Sequence, residues 1–452
     1  TGDIEGAMRL ASELCKNNAM AQIYLYTATE YADAGEVNVV DVSSENDWNA
    51  AVLSVKAEVD ENYYRFTAEV AVYGADKYVN VLLQADGVND EKKVVHGTQR
   101  ANCNGGRVQT VIFEDLGIYA YDSVQISLET EDGSKDGFAP DNTYTVYGGR
   151  KDEIKIQYAS SLPNNFVNGA LLVLQNSRKD GFDIQITQVN SSSDYEVRGF
   201  DFYIFEHTMP SVMPSDGAVL LIDPDKIPPN LDMEIGETRR GEFTLSAGVT
   251  HPVTEFVDAS KINATYYKGI TAGDDYDTLF TCGGEKVFVV KNTADSKAAV
   301  LTLDLNYSNL ALLYEFPLLM SNLFDYFIPP TVEKNVFDVN EKIGVDARGK
   351  NVRVERGDGI LQAVETPAEI ALSEPDRYVI TQTLLSGKTL ETPVYVKVPR
   401  AESDIFAAEE AIPGLFFMEK KELSYNDLLI YLASALLTVF VLERFLYSRE
   451  KI

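Results

Sequence analysis

Three cysteines and three histidines bound the nucleophilic and metal chemistry open to this chain: Cys15, Cys103 and Cys282, and His96, His207 and His251. The cysteines are odd in number and far apart, so they form neither a disulfide framework nor a zinc-ligand spacing. A cysteine nucleophile needs a base beside it and a carboxylate to orient that base. Cys282, followed by Gly283-Gly284, can be combined with His251 and a carboxylate into such a triad. The usual seat of a nucleophile in an α/β domain is a strand-to-helix elbow of the G-x-[CS]-x-G kind. After the apolar run at residues 200–205 comes Glu206-His207-Thr208, and after the run at 218–222 comes Asp223-Pro224-Asp225. Neither has the residues of an elbow. His251-Pro252 reads instead as the cap of a turn. The loop from Asp132 to Asp141 carries several carboxylates but does not match an EF-hand, and it reads as a solvated hairpin. There is no G-x-G-x-x-G and no P-loop, which removes the sequence basis for a nucleotide site. A net charge of −31 excludes nucleic acid as a partner, because phosphate binding needs clustered Lys and Arg.

The elements that would position such residues fall in blocks. In residues 1–48 a helical apolar pattern at Ile4, Met8, Leu10, Ala11 and Leu14 is followed by short apolar strands at 23–26 and 37–42. This predicts part of a Rossmann-like α/β domain whose remainder lies before Thr1. The chain begins Thr-Gly-Asp without a methionine or a signal peptide and reads as a fragment. Residues 49–148 alternate apolar and polar residues between Gly- and Asp-rich turns, which predicts a β-sandwich. Residues 150–330 return to strands and helices. Their continuous apolar runs at 200–205 and 218–222 fit strands covered on both faces, so an open, mostly parallel α/β domain is expected. Residues 331–400 predict a second β-sandwich, and 401–424 an acidic linker. Residues 425–447 predict a transmembrane helix, because Leu428 to Leu442 carry no charge and a bilayer takes about 20 helical residues. The expected location is the plasma membrane, with the bulk of the chain extracytoplasmic and a short cytoplasmic tail.

This order resembles bacterial BatA-type membrane proteins with von Willebrand A and WFA domains. The stretches that carry the resemblance begin at Thr1-Gly-Asp-Ile-Glu-Gly-Ala-Met-Arg-Leu-Ala and Ile23-Tyr-Leu-Tyr-Thr-Ala-Thr-Glu-Tyr. Gly199-Phe-Asp-Phe-Tyr-Ile-Phe, Ala218-Val-Leu-Leu-Ile-Asp-Pro and the apolar run after Tyr425-Asn-Asp-Leu-Leu continue it. The resemblance implies the end of an A domain, a β-sandwich, an amidotransferase-like α/β domain, a second β-sandwich and a membrane helix. It also implies a magnesium or calcium site completed upstream, in which Thr1 supplies the family's threonine. Ala28 stands where the family's aspartate is expected, and the amidotransferase-like domain lacks its nucleophile. A system containing a MoxR-type ATPase is the implied partner, along with other proteins of the cell envelope. The functional expectation is a non-catalytic, membrane-anchored extracytoplasmic scaffold. The alternatives are a metal-dependent surface adhesin and an amidotransferase-like hydrolase acting through Cys282.

Overall fold

The computed structural model describes residues 4–15, 21–27, 37–41 and 48–405, with residues 61, 90, 92, 132, 149–150, 180, 191–194, 229–230 and 358 excepted. The described residues fall in two compact units, those within 4–41 in the first and those within 48–405 in the second.

In the first unit, helix α1 (Ile4–Cys15) precedes two short parallel strands, β1 (Ile23–Thr27) and β2 (Val37–Asp41). Met8 and Val37 are buried against Ile23 and Leu25, while Leu10 and Leu14 stay exposed.

The second unit opens with seven strands: β3 (Asn49–Asp60), β4 (Tyr63–Tyr73), β5 (Lys77–Val88), β6 (Lys93–Cys103), β7 (Gln109–Phe113), β8 (Ser123–Thr130) and β9 (Thr143–Tyr147). They form a three-stranded sheet β3-β4-β7 and a four-stranded sheet β6-β5-β8-β9. The alternation explains the packing: Val79, Val81, Leu83 and Ala85 of β5 point into one core with Phe66, Ala68, Val70 and Val72 of β4. Successive strand side chains face opposite ways, so the polar neighbours face outward.

Next come β10 (Asp152–Ser160), α2 (Asn165–Ser177), β11 (Phe182–Val189), β12 (Phe202–Glu206) and β13 (Ala218–Ile222). An antiparallel excursion follows: β14 (Met233–Thr244), β15 (Ser246–Ala247), β16 (Asn263–Ala272), β17 (Asp277–Cys282) and β18 (Glu285–Asn292). Strand β19 (Lys297–Leu301) and helix α3 (Glu315–Phe327) close the module. The main path of the sheet is β11-β10-β12-β13-β19-β18-β16-β14. Its first five strands are parallel and the rest antiparallel. Every residue of β12 and β13 is buried. Phe202 and Ile204 face the core under α2 and α3, and Tyr203 and Phe205 face a second core on the other side. That is why both strands read as unbroken apolar runs.

The last strands are β20 (Val336–Asp338), β21 (Lys342–Val345), β22 (Lys350–Arg356), β23 (Gly359–Ala363), β24 (Ala368–Ala371), β25 (Asp376–Thr383) and β26 (Thr389–Lys397). They make a five-stranded sheet β20-β26-β25-β22-β23 and a two-stranded sheet β21-β24. Side chains join this module to the others. Tyr395 of β26 belongs to the core of the first sandwich, 5.5 Å from the Tyr144 ring, and its hydroxyl donates to Thr143 O at 2.7 Å. Arg348 pairs with Asp152 at the start of β10, donates from Nε to Pro329 O at 2.9 Å and lies over the Phe182 ring.

Two expectations are corrected here. The described residues are mostly β: half of them are strand and 15% helix, the helix lying in three α-helices and several short 3₁₀ turns, which is at odds with a partial Rossmann-like α/β fold. The first unit shows one helix and one strand pair among the described residues. In the central module the antiparallel strands β14 to β18 displace the expected continuation of an open parallel sheet. The second correction concerns the membrane. Among the described residues no helix is long and apolar enough to cross one, so the expected plasma-membrane protein with a C-terminal transmembrane helix is not supported. The expected span at 425–447 lies outside the described residues, as do Thr1 and Ala28.

Candidate functional site

The chain leaves β10 through α2 to β11 on one side, then returns to β12 on the other side of β10. Such a reversal opens a crevice at the carboxyl ends of the strands, where open α/β sheets hold their ligands. Here β10 ends in Ser160, β12 in Glu206 and β13 in Ile222, and each is followed by a polar residue. The ladder continues one step beyond the strands: His207 N donates to Ile222 O at 3.2 Å and Asp223 N to Leu301 O at 2.8 Å. The two bonds hold His207 and Asp223 at the rim of the sheet.

Both residues have left-handed backbone, φ +50 at His207 and φ +45 at Asp223. A non-glycine residue there carries strain of about 1–3 kcal/mol and persists when its surroundings fix it. What fixes these two is a charge network. His207 Nδ1 lies 3.2 Å from Asp223 Oδ2, and Nε2 lies 3.6 Å from Asp304 Oδ2. Lys268 Nζ sits 3.0 Å from Asp223 Oδ1 and 3.1 Å from Asp225 Oδ1. The Tyr266 hydroxyl donates to Asp223 Oδ2. Asp304 also caps the turn Leu305–Tyr307 through Asn306 N at 2.6 Å. Beneath the network, Glu206 is fully buried and accepts from the Tyr158 hydroxyl, which in turn accepts from Asn164 N at 2.8 Å.

The charges follow from these contacts. Asp223 donates nothing and accepts from His207, so that bond raises the imidazole above its ordinary pKa, against the opposing effect of burial. Burial by itself would push Asp223 up, but the bonds from His207 and Tyr266 and the Lys268 charge hold it below the usual carboxylate range. Burial would lower Lys268, and the two aspartates outweigh it. Burial pushes the Glu206 carboxyl up. The crevice therefore sets the His207 imidazole and the Lys268 ammonium against carboxylates that favour the charged form of each.

His207, Asp223 and Asp304 could each turn one ligand atom to a metal ion, and those atoms lie within 4.8 Å of one another. The positions already taken argue against it. A divalent ion at Asp223 would face the Lys268 ammonium at close range, and the two carboxylates approach different nitrogens of His207. The donor set fits an internal ion-pair network better than a metal.

The pairing has a pH signature. A histidine whose folded pKa exceeds its unfolded value stabilises fully below the unfolded pKa, about 6.5, and that stabilisation is lost as pH rises through the folded value. His207→Gln should therefore destabilise by about 1–2 kcal/mol at pH 5.5 and by much less at pH 9. Urea midpoints at the two pH values check this.

Neither Cys282 nor His251 belongs to this crevice. Cys282 ends β17, is 1% exposed, and burial pushes its thiol up to about 11. His251 caps the turn Pro252–Thr254, its Nδ1 accepting from Val253 N at 3.2 Å, and Nε2 approaches Asp277. Among the described residues no hydrogen bond joins Cys282 to His251. Iodoacetamide at pH 8 should label Cys15 at least tenfold faster than Cys282 in the native protein, and denaturant should remove the difference. Peptide mass spectrometry reads both sites.

Sequence reasoning noted His207 and Asp223 but dismissed the positions for lacking elbow residues. Their signal was a polar residue at the end of each of two adjacent buried strands.

Neither a protein-family model nor a curated protein matches the chain, so the von Willebrand A and BatA assignment gains no support. Several solved structures are distantly similar. The cytoplasmic protein STM3548 of Salmonella typhimurium is 13% identical with a TM-score of 0.29, over 38% of this chain and 98% of that one. The cytoplasmic protein STM1381 of Salmonella typhimurium LT2 is 10% identical with a TM-score of 0.28, over 38% and 99%. A ThuA-like protein from Parabacteroides merdae is 10% identical with a TM-score of 0.25, over 38% and 88%. At these scores the likeness carries no argument about what the chain does.

Proposed function

We propose that this protein is non-catalytic and acts as a binding platform for other proteins, its modules in 48–405 held together as one rigid piece. The observation that carries this is the occupant of the elbow. At the carboxyl end of β12, where a nucleophile would stand, the left-handed residue is His207, and both of its ring nitrogens face carboxylates. An imidazole with both nitrogens facing carboxylates is biased towards its protonated form, which is a poor base and no nucleophile. The thiol at Cys282 is buried and held protonated, so it supplies no substitute. Side chains from the last sandwich enter the cores and loops of the two modules before it, which suits a platform that presents fixed surfaces.

The test is a hydrolysis screen of the full chain on activated esters, amides and glutamine, run beside His207→Ala and Cys282→Ala. The expected result is no turnover above buffer in any of the three. Turnover in the parent that either substitution abolishes would overturn the proposal and restore the amidotransferase-like hydrolase.

A further inference from the structure

A second buried polar cluster lies in the first sandwich. Asn49 opens β3 and is fully buried. Asp141 ends the 3₁₀ turn Ala139–Asp141 and is 4% exposed, although its loop reads as a solvated hairpin in sequence. Asn49 Nδ2 donates to Asp141 Oδ2 at 3.0 Å and to Ser403 O at 2.8 Å. Both amide hydrogens are thereby used, which fixes the orientation of the amide. Asn49 Oδ1 and Asp141 Oδ1 are then both buried acceptors with no donor. Two such oxygens are costly to bury, and each needs a hydrogen. A carboxylic acid and a carboxamide satisfy one another completely through a pair of bonds, N–H to oxygen one way and O–H to oxygen the other, and that needs a single added proton.

We propose that Asn49, Asp141 and Ser403 form a proton-operated latch that ties the segment at 400–405 to the first sandwich. Protonated, Asp141 donates from Oδ1 to Asn49 Oδ1, and the amide keeps its second hydrogen on Ser403 O. Ionised, Asp141 leaves its Oδ1 and Asn49 Oδ1 as two buried acceptors without a donor; the Ser403 side-chain bond favours the carboxylate, but burial outweighs it, so the cluster as a whole holds the segment less firmly. The surroundings favour the proton. Burial, with the Asp136 charge on the same loop, pushes the Asp141 carboxyl up to about 7, against the bonds from Ser403 and Asn49. Tyr73 of β4 faces the cluster, together with Asp404 and Arg400 from the C-terminal segment. Arg400 also pairs with Glu69 at 3.2 Å. Strand β9 brings Tyr144 and Tyr147, both pushed up to about 12 by burial and so uncharged near neutrality. This latch is independent of the reading of the α/β crevice.

The sign is fixed by linkage. The folded carboxyl binds its proton more tightly than the ordinary value of about 3.9, so its contribution is complete at low pH and is lost as pH rises through about 7. Between those values the folding equilibrium falls towards tenfold per pH unit on account of this group. Asp141→Asn places a permanent N–H where the proton sits. The experiment measures thermal midpoints of the full chain from pH 5 to 8.5, and trypsin cleavage after Arg400 normalised to an unstructured peptide. We expect the parent midpoint to fall across this range, a flatter profile for Asp141→Asn with a higher midpoint than the parent at pH 8.5, and cleavage at Arg400 at least fivefold faster at pH 8.5 than at pH 6 in the parent only. The same slope in both proteins would overturn the latch. So would millimolar calcium that raises the parent midpoint at pH 8.5, since a cation would then occupy the oxygens. Should Asp141→Asn fail to fold, pH-independent cleavage after Arg400 in the parent would overturn it alone.

Discussion

Asp223→Ala should destabilise the full chain by about 3 kcal/mol and lower the titration midpoint of His207. The carboxylate is 5% exposed and stands between the His207 imidazole, the Lys268 ammonium and the Tyr266 phenol. Removing one member of a buried ion pair costs about 3–5 kcal/mol, because the partner stays buried with its charge uncompensated. The lower end applies here. Lys268 keeps Asp225, which is largely in water, and the carbonyl of Pro224 at 3.2 Å, while His207 keeps Asp304. Backbone strain adds to the loss, since alanine tolerates φ +45 less well than aspartate. Asp223→Asn separates the contributions: it fits the left-handed backbone and keeps a polar side chain but removes the charge, so a cost of about 1–2 kcal/mol is expected. With three histidines in the chain, imidazole proton NMR resolves His207 directly. A loss below about 1 kcal/mol, together with an unmoved His207 titration, would show that the network does not hold the rim of the sheet.

Arg348→Met should cost about 2–3 kcal/mol and split one unfolding transition into two. The guanidinium is 8% exposed and bonds Asp152 and the Pro329 carbonyl while covering the face of Phe182. It therefore joins the last sandwich to the starts of two parallel strands, β10 and β11. The aspartate is 39% exposed and rehydrates when the arginine is lost, which keeps the cost below that of a fully buried pair. Methionine retains much of the packing on Phe182, so the change isolates the polar bonds. Arg348→Lys should recover little, because an ammonium cannot make the forked contact. Calorimetry reads the split. A single transition shifted as a whole would mean that the remaining contacts, among them Tyr395 with Thr143, Arg377 with Gln125 and Lys350 with Asp295, keep the modules cooperative.

How much of this was legible follows from what covers each segment. Strands β12 and β13 could be read because burial on both faces leaves nothing but apolar residues. Strands β14 and β16 gave little sign. Most of β14 is exposed, with Glu234, Glu237, Arg239, Arg240 and Glu242 along it, and its partner β16 mixes polar and aromatic residues. Their pairing is a long-range fact, set by backbone bonds that no local pattern marks. The candidate site suffered from the same blindness. His207 and Asp223 follow strands that could be found, but Asp304 reaches them only after the antiparallel excursion returns the chain to β19. Asp141 was misread for a different reason. Its loop has a hydrophilic composition, and nothing local shows that Asn49 and Ser403 close over it.

The same contact has a mechanical consequence. Asn49 stands at the start of the 48–405 unit and Ser403 at its end, and their hydrogen bond brings the two ends of that stretch to one corner. Tension applied along the chain would run through this corner and load the Asn49–Ser403 contact in shear, leaving the three modules as a side branch off the line of force. A piece whose ends meet in this way can also be lifted out whole, or grafted into another protein's loop, without stretching either host or guest.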